Sequence, residues 1–346
     1  MKAQARNRTL PSTETAGLSV CEFFDRWLGT VKANLREKTH RGYRQHTEVH
    51  FKPSLGKMRL TKLSHDDIQA FLNAKRDEKR KRGQNEVALS PRSVHSLYVV
   101  LGTALNWGVR KGYIPFSPML RVDAPRVPQT EITPLSLDQT RTLLASAEEA
   151  TDPLYALWML AASTGARKAE LLGLTWNDVD LQAGTLTIRP NAIRDVKSPR
   201  SRRTLDLTDA ALAALVAHRD RQTFDRQSLG AAFRSHNVVF ASEVGTPLNH
   251  DNVTKRFKRA LKAAGLPLTT RMHDLRHGAA THLLEDGETI PTVSAMLGHA
   301  SAVITMSTYA HAVPGSGKRA SDRLGALLRG QPKDATQAEK TPTATG

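Results

Sequence analysis

The chain has 346 residues, of which 39% are hydrophobic, and this is enough for two domains with cores of their own. Lys and Arg number 50 against 33 Asp and Glu, and the resulting net charge of +17 favours a polyanionic partner. The single cysteine excludes an internal disulfide, and the sequence has neither an apolar signal core nor a membrane-length apolar run, so we expect a cytoplasmic protein without a membrane partner.

The first part of the chain carries helical patterns. Residues 18–31 and 65–79 each have the apolar spacing of an amphipathic helix, and Ser90-Pro91 gives a third helix an N-cap and a first-turn proline. We therefore predict a helical domain over residues 18–120, preceded by a flexible N-terminus over residues 1–17.

Two basic runs lie in this predicted domain. A single charge run is usually a solvated helix end or loop, but two runs in one small helical domain of a basic protein favour contact with a phosphate backbone. The candidate DNA-binding residues here are Lys38, Thr39, Arg41, Tyr43, Arg44, Arg80, Lys81 and Arg82.

Residues 121–134 contain three prolines and no helical period, which predicts a linker. A capping box at Ser136 then opens a helix to about Glu149, and the helix that starts at Asp152-Pro153 is apolar on most sides, as expected of a central core helix. Short apolar alternation predicts strands over 185–188 and 203–207, and 237–240 is a strand or an extended segment. Further helices are predicted at about 251–264, 273–285, 292–297, 303–309 and 316–330, before a polar, disordered tail over 331–346.

Several residues in this second part suit chemistry on a phosphodiester. Arginine offers two hydrogen bonds to one phosphate and stays charged. Arg167 follows Gly165, which can end a helix and direct the arginine into a cleft, and Glu170 can hold Arg167 by an ion pair. Taken alone, a surface Arg–Glu pair is the commoner interpretation. His273 and Arg276 lie one helical turn apart and share a face.

Other candidates leave alternatives open. His273 and His277 have the spacing of a metal pair, but the glutamate of the zinc-protease motif is missing, and either can be an ordinary core histidine. Tyr309 needs activation because free tyrosine has a pKa of about 10, and its alternative is a packed aromatic residue. Lys197, in the turn between the predicted strands, is a candidate general acid. Arg200 and Arg202 are rivals for that role and candidate DNA-binding residues.

The order of these motifs resembles that of the tyrosine recombinase, or phage integrase, family over roughly residues 18–312. The resemblance implies a mainly α fold with a small antiparallel β-sheet. It also implies a SAM-like core DNA-binding domain and a mixed α/β catalytic domain, residues 135–315, which together form a C-shaped DNA clamp. The matching segments are 164–176, Lys197 with 201–204, 273–278, 297–299 and 309–311.

The resemblance also implies the chemistry. Tyr309 would attack the scissile phosphate and form a 3′-phosphotyrosine, while His273 accepts its proton. The other expected roles are phosphate contacts by Arg167, Arg276 and His299, leaving-group protonation by Lys197, and support from Glu170 or, less so, Asp178. No metal or other cofactor is implied. The expected partners are double-stranded DNA with specific sites, a homotetramer on that DNA, and an excisionase or DNA-bending host factor.

Two departures from the family pattern bear on function. Val196-Lys197-Ser198 stands where relatives often have Pro-Lys-Thr, and no separate arm-binding domain is expected before residue 18. The leading hypothesis is a recombinase that integrates and excises a phage or mobile element. The alternatives are Xer-type dimer resolution, transposition, topoisomerase IB-like relaxation and a catalytically silent DNA-binding protein. Segment 316–330 is expected to pack on its own subunit or on a neighbour.

Overall fold

The structure, a computed structural model, describes residues 17–82, 85–128, 133–189, 202–299 and 301–309, with a few positions between 321 and 329. The side chains of residues 80–86 are outside this description. The chain divides into two units, residues 1–130 and 131–346. The predictions for 1–16 and 331–346, and most of that for 316–330, lie outside the described residues.

The first unit is a set of helices with one small hairpin. Ser19 and Ser64 each form a capping box at the start of a helix, which satisfies amide groups that the first turn leaves free. A π-helical turn over Thr47–Phe51 joins the second and third helices. The elements are α1 (Val20–Val31), α2 (Glu37–His46), α3 (Lys52–Leu55), α4 (His65–Asp77), β1 (Lys79–Arg82), β2 (Asn85–Ala88) and α5 (Pro91–Arg110).

Aromatic side chains form the centre of the first unit. The ring of Phe24 stacks on Phe51 with 5.1 Å between centroids, and Trp27 stacks on Tyr43 at the same distance. A Cβ at Gly108 would lie 2.9 Å from the Phe23 ring, so this close approach of α5 to α1 requires a glycine. Aromatic packing thus fixes α1, α2 and α5 against one another.

The second unit combines helices with a three-stranded antiparallel sheet. The sheet has the order β3-β4-β5, and Leu186 lies opposite both Val179 and Leu205. The elements are α6 (Leu137–Glu149), α7 (Tyr155–Thr164), α8 (Lys168–Leu171), β3 (Val179–Asp180), β4 (Thr185–Ile188), β5 (Arg203–Asp206), α9 (Asp209–Leu229), α10 (His250–Ala263), α11 (Met272–Asp286), α12 (Ile290–Leu297) and α13 (Ala302–Tyr309).

Helix α7 is the central helix of the second core, as its all-round apolar sequence predicts. It packs against α6, α9 and α11, and its Trp158 is fully buried against Phe257. The indole nitrogen of Trp158 donates to Asp152, 3.0 Å away, so the buried polar atom is satisfied. The fold is mainly helical with a small antiparallel sheet, which confirms the predicted class.

Some local predictions differ from the structure. The helix predicted to run to residue 79 ends at Asp77, and the basic run 79–82 forms strand β1 rather than a helix end or loop. Helix α2 was not predicted, because it has no aliphatic side chain and no fully buried residue. Of the two alternatives for residues 237–240, the regular strand is absent; Val238 makes one isolated bridge to Thr175, which fits the extended segment.

None of the described helices is long and apolar enough to cross a membrane.

Candidate active site

Gly165 ends α7 and so determines where Arg167 begins the next helix. Gly165 ends α7 in the left-handed conformation, with φ of 60°, and a Cβ there would lie 2.7 Å from the Leu297 side chain. Both the backbone angle and the space therefore require glycine. Arg167 follows at the start of α8 with its side chain 39% exposed. The predicted helix end at Gly165 is confirmed.

Glu170 is a buried carboxylate shared by two arginines. Its oxygens accept from Arg167 Nη1 at 2.9 Å and from Arg203 Nη2 at 2.8 Å, and the Arg167 backbone amide also donates to it. Burial alone would raise the pKa of Glu170, but the hydrogen bond and charge of Arg203, followed by those of Arg167, bring it below its ordinary value. The expected Arg167–Glu170 ion pair is present, and Arg203 is a partner that sequence reasoning missed.

Arg276 lies beside Arg167 although 109 positions separate them in the chain. Only 2% of Arg276 is exposed, and its Nη1 donates to the carbonyl oxygen of Gly165 at 2.7 Å. Within the described part of the chain, the buried Nη2 has no hydrogen-bond partner. Burial, with the nearby charge of Arg167, lowers the pKa of Arg276 to about 10, so the group remains a cation at neutral pH.

His299 is presented by the turn that ends α12. Gly298 adopts φ of 66° at this helix end, and His299 Nδ1 lies 2.7 Å from the hydroxyl of the buried Thr305. Burial and the charges of Arg276 and Arg167 lower the pKa of His299 to about 4. The imidazole is therefore neutral at neutral pH and has one ring nitrogen fixed by Thr305.

Tyr309 ends α13 and is 3% exposed, packed in an apolar cluster with Leu284 and Leu297. Its hydroxyl lies 2.7 Å from His277 Nδ1. Burial raises the pKa of Tyr309, an effect that the charge of Arg276 opposes. Burial lowers the pKa of His277 in spite of nearby Asp274. A protonated phenol thus faces a neutral imidazole that can accept its proton.

The hydrogen-bond partner of Tyr309 in the structure is His277 rather than the expected base, His273. The His273 ring meets that of His277 edge to face, with 4.9 Å between centroids. Burial and the neighbouring His277 and Arg276 lower the pKa of His273 to about 4, although the residue is exposed by its accessible surface. The sequence signal for His277 was its place four residues after His273, which the sequence analysis weighed as metal spacing or as an ordinary core histidine, and not as a base for Tyr309. Across the described residues, no three His, Cys, Asp or Glu side chains converge as a metal-binding group.

Comparison with known proteins identifies the family. Residues 134–315 match the phage integrase family, and residues 20–76 match the phage integrase N-terminal SAM-like domain. The chain belongs to the phage integrase family. Its members are tyrosine recombinases, enzymes that cleave and rejoin DNA, and the enzyme class predicted from the sequence is confirmed.

Individual relatives carry different biological roles. A tyrosine recombinase XerC-like protein of Caldanaerobacter subterraneus subsp. tengcongensis is 29% identical over 69% of this chain and 67% of its own. The Tn1549 transposon integrase, solved with circular intermediate DNA, superimposes with a TM-score of 0.72 at 18% identity, over 89% of this chain and 99% of its own. Lambda integrase, solved as a tetramer on a Holliday junction, superimposes with a TM-score of 0.63 at 21% identity, over 84% of this chain and 80% of its own. These structures share the fold of this recombinase.

The remaining candidate site residues of this recombinase are not among the contacts described above. Lys197 and Arg200 are outside the described residues, and Arg202 is exposed just before β5. Asp178, the weaker candidate for support, instead pairs with Arg189 at 2.9 Å and accepts from Thr175 at the end of its own loop.

The first basic run lies on α2. Lys38, Thr39, Arg41 and Arg44 are exposed on this helix. Tyr43 is half-buried, since its ring stacks on Trp27 in the core, so its ring is already engaged. The second run, Arg80 to Arg82, has a strand backbone and side chains outside the description.

Proposed function

We propose that this recombinase cuts and rejoins double-stranded DNA at specific sites through Tyr309, and that it integrates and excises a phage or other mobile element. One observation carries the proposal. The buried hydroxyl of Tyr309 is hydrogen-bonded to a neutral histidine and lies within the field of Arg276, whose free N–H awaits an acceptor. A packed aromatic residue would need neither a proton acceptor nor a buried cation with an unsatisfied N–H group beside it.

The proposed step is a transesterification. The Tyr309 oxygen forms a bond to the scissile phosphorus while the bond to the 5′ oxygen breaks, which leaves a 3′-phosphotyrosine and a 5′-hydroxyl. Arg167 and Arg276 donate to the non-bridging oxygens, where negative charge develops, and His299 adds a further contact. Lys197 protonates the departing 5′ oxygen. The new linkage is itself a phosphodiester, so rejoining is the same step reversed and needs no ATP.

We propose His277 as the group that takes the Tyr309 proton, with His273 holding the His277 ring from its edge. The Tyr309–His277 distance of 2.7 Å meets the geometric requirement for a general base. The low pKa of His277 keeps its ring neutral, so the nitrogen can accept. This assignment replaces the expected base, His273, whose ring touches His277.

Replacing His277 with Ala should slow cleavage by about 10²-fold at neutral pH. Without an acceptor the phenol must ionise on its own, so the rate should rise about tenfold per pH unit up to the pKa of Tyr309, which burial raises above the ordinary tyrosine value. The wild type should stay flat above neutral pH. Placing 3-fluorotyrosine, whose phenol ionises more readily, at position 309 should restore part of the rate in the variant. Single-turnover cleavage measured against pH gives all three results.

The control is His282→Gln on the same helix, where His282 bonds the backbone oxygen of Leu135 and touches no proposed catalytic group. It should keep the flat pH profile. If His273→Ala gains the rising profile and His277→Ala does not, the base is His273.

We propose that polar and basic residues of both units contact the DNA backbone and that the active form is a homotetramer. Lambda integrase, a protein of the same fold, is a tetramer on a Holliday junction. An excisionase or a DNA-bending host factor would add direction to the reaction. The proposed backbone contacts are Lys38, Thr39, Arg41 and Arg44 of α2, then Arg80, Lys81, Arg82, Arg200 and Arg202.

The mobile-element role is favoured over Xer-type dimer resolution by two neighbours in structure. The Tn1549 and lambda proteins are both integrases. The XerC-like relative keeps dimer resolution as the second candidate. The two roles predict different substrates, since integration joins unlike DNA molecules and dimer resolution acts on two copies of one chromosomal site.

A trapped intermediate tests the function. Nicked duplexes tiled across the DNA that flanks the recombinase gene should yield a covalent adduct on a denaturing gel for one duplex and not for scrambled sequence. Peptide mapping should place the nucleotide on Tyr309. Relaxation of plasmids that lack any such site would indicate a topoisomerase. Site-specific binding with no adduct on any duplex would indicate a silent DNA-binding protein.

A further inference from the structure

The side chain of Arg203 joins two parts of the proposed active site. It is 9% exposed, and its guanidinium contacts Glu170 through Nη2 at 2.8 Å and through Nη1 at 3.3 Å. Its Nε donates to the backbone oxygen of Met296 at 2.8 Å. Met296 lies in the last turn of α12, where carbonyl groups lack partners within the helix. One guanidinium therefore spans α8 and the end of α12.

The turn that carries His299 is built against this same guanidinium. A Cβ at Gly298 would lie 2.6 Å from Arg203 Nη1 and 2.9 Å from its Cζ. Glycine at 298 thus serves both the left-handed backbone and the close approach of Arg203. The position of His299 depends on Arg203 through this packing as well as through the Met296 hydrogen bond.

Arg203 also decides how Glu170 is shared. A buried carboxylate is costly unless it is fully paired, and here both Arg167 and Arg203 form ion pairs with Glu170. Without Arg203, Glu170 would depend on Arg167 alone and would draw that guanidinium toward itself and away from a phosphate. Arg203 therefore leaves Arg167 partly free to meet DNA, which agrees with the 39% exposure of Arg167.

The backbone of Arg203 adds a third connection. Arg203 is the first residue of β5 and pairs with Ile188 of β4. The segment between these strands carries Lys197, the proposed general acid. Arg203 thus holds the start of β5 next to Glu170 and the end of α12.

We propose that Arg203 is a positioning residue that sets the geometry of Arg167 and His299 together. This inference rests on the proposed function of those two residues. It requires the planar fork of arginine, because three donors at fixed spacing meet two carboxylate oxygens and a carbonyl. The alternative is an ion pair that stabilises the fold and leaves catalysis alone.

Arg203→Lys tests the proposal, because it keeps the charge and loses the fork. A displacement of about 1 Å in a catalytic group can cost about 10²-fold in rate. We therefore expect single-turnover cleavage of the nicked duplex to fall between about tenfold and 10²-fold, with DNA affinity and melting temperature close to wild type. Arg203→Gln, which also loses the charge, should be slower still. Arg221→Lys is the matched control, since Arg221 also donates to a backbone carbonyl, that of Pro153, but touches no proposed catalytic residue.

A double-mutant cycle separates positioning from simple stabilisation. If Arg203 acts through Arg167, the Arg203→Lys substitution should cost much less in an Arg167→Ala background than in wild type. A purely structural role would lower the cleavage rate by the same factor in both backgrounds, and this result would overturn the proposal. A lower melting temperature with an unchanged cleavage rate in the folded protein would overturn it as well. If the wild type forms no adduct, the proposed function fails. If the wild type forms the adduct and Arg203→Lys cleaves equally fast, only this inference fails.

Discussion

Tyr309→Phe is expected to abolish the covalent protein–DNA adduct while leaving DNA binding intact. The substitution removes one oxygen, the proposed nucleophile, and keeps a ring that fills the same apolar cluster. Loss of a nucleophile removes the whole covalent route, so the cleavage rate should fall by at least about 10⁴-fold. Denaturing gels of the nicked duplex, with native gels for affinity, measure the two effects separately.

The stability of the Tyr309→Phe variant should change little. The variant loses one hydrogen bond, between the Tyr309 hydroxyl and His277, which is worth about 1 kcal/mol. Tyr155→Phe is the matched control, because Tyr155 is a half-buried tyrosine of α7 that packs against the core of the same unit. It should cleave like the wild type. An adduct that survives in the Tyr309→Phe variant would move the nucleophile to another residue.

The local parts of this site were readable from sequence because they depend on residues close together in the chain. Gly165, Arg167 and Glu170 lie within six positions, so a helix end and an i,i+3 ion pair predict their arrangement. The bond from Arg276 to the oxygen of Gly165 joins residues 111 positions apart. No spacing rule predicts it; only the order of motifs in a known family brought the two arginines together.

The choice between His273 and His277 shows where sequence reasoning stops. Both lie on one helix, and a spacing of four places them on the same side of it. Which ring meets the tyrosine depends on where α13 packs against α11, and that is a tertiary contact. The role of Arg203 could not be predicted from the sequence for the same reason, because it depends on the tertiary contact that brings α8 and the end of α12 to the start of β5.

Elements without an apolar period were also beyond prediction. Helix α2 contains no aliphatic side chain, and Tyr43 is its one aromatic residue, so a search for apolar residues at helical spacing did not find it. Strand β1 consists entirely of Lys and Arg, residues with no strand preference. It is a strand because it pairs with β2, the next segment of the chain, in an antiparallel hairpin. Helix α7 is the opposite case: its apolar run indicated both its type and its central place.

Replacing Arg276 with an uncharged residue is expected to lower the cleavage rate without lowering the stability of the fold. Its folded pKa of about 10 lies below the ordinary arginine value, so the fold disfavours the charged form. For a base with a depressed pKa, this penalty is fully present below the folded pKa, and so at neutral pH, and it is lost as the pH rises above that value. Removing the charge relieves that penalty, at the cost of the hydrogen bond to Gly165.

Arg276→Met, which keeps an unbranched apolar stem without the charge, should therefore unfold at the wild-type temperature or above it. Its cleavage rate should fall by about 10³-fold, because the unpaired Nη2 and its charge no longer meet the developing negative charge on the phosphate. Added guanidinium should restore part of the rate in Arg276→Ala, where space for it is left, and methylammonium should restore less because it lacks the fork. Calorimetry and single-turnover cleavage on one preparation measure both quantities. A variant that is less stable and equally active would contradict this prediction, because Arg276 would then stabilise the fold without any phosphate to accept from its unsatisfied Nη2.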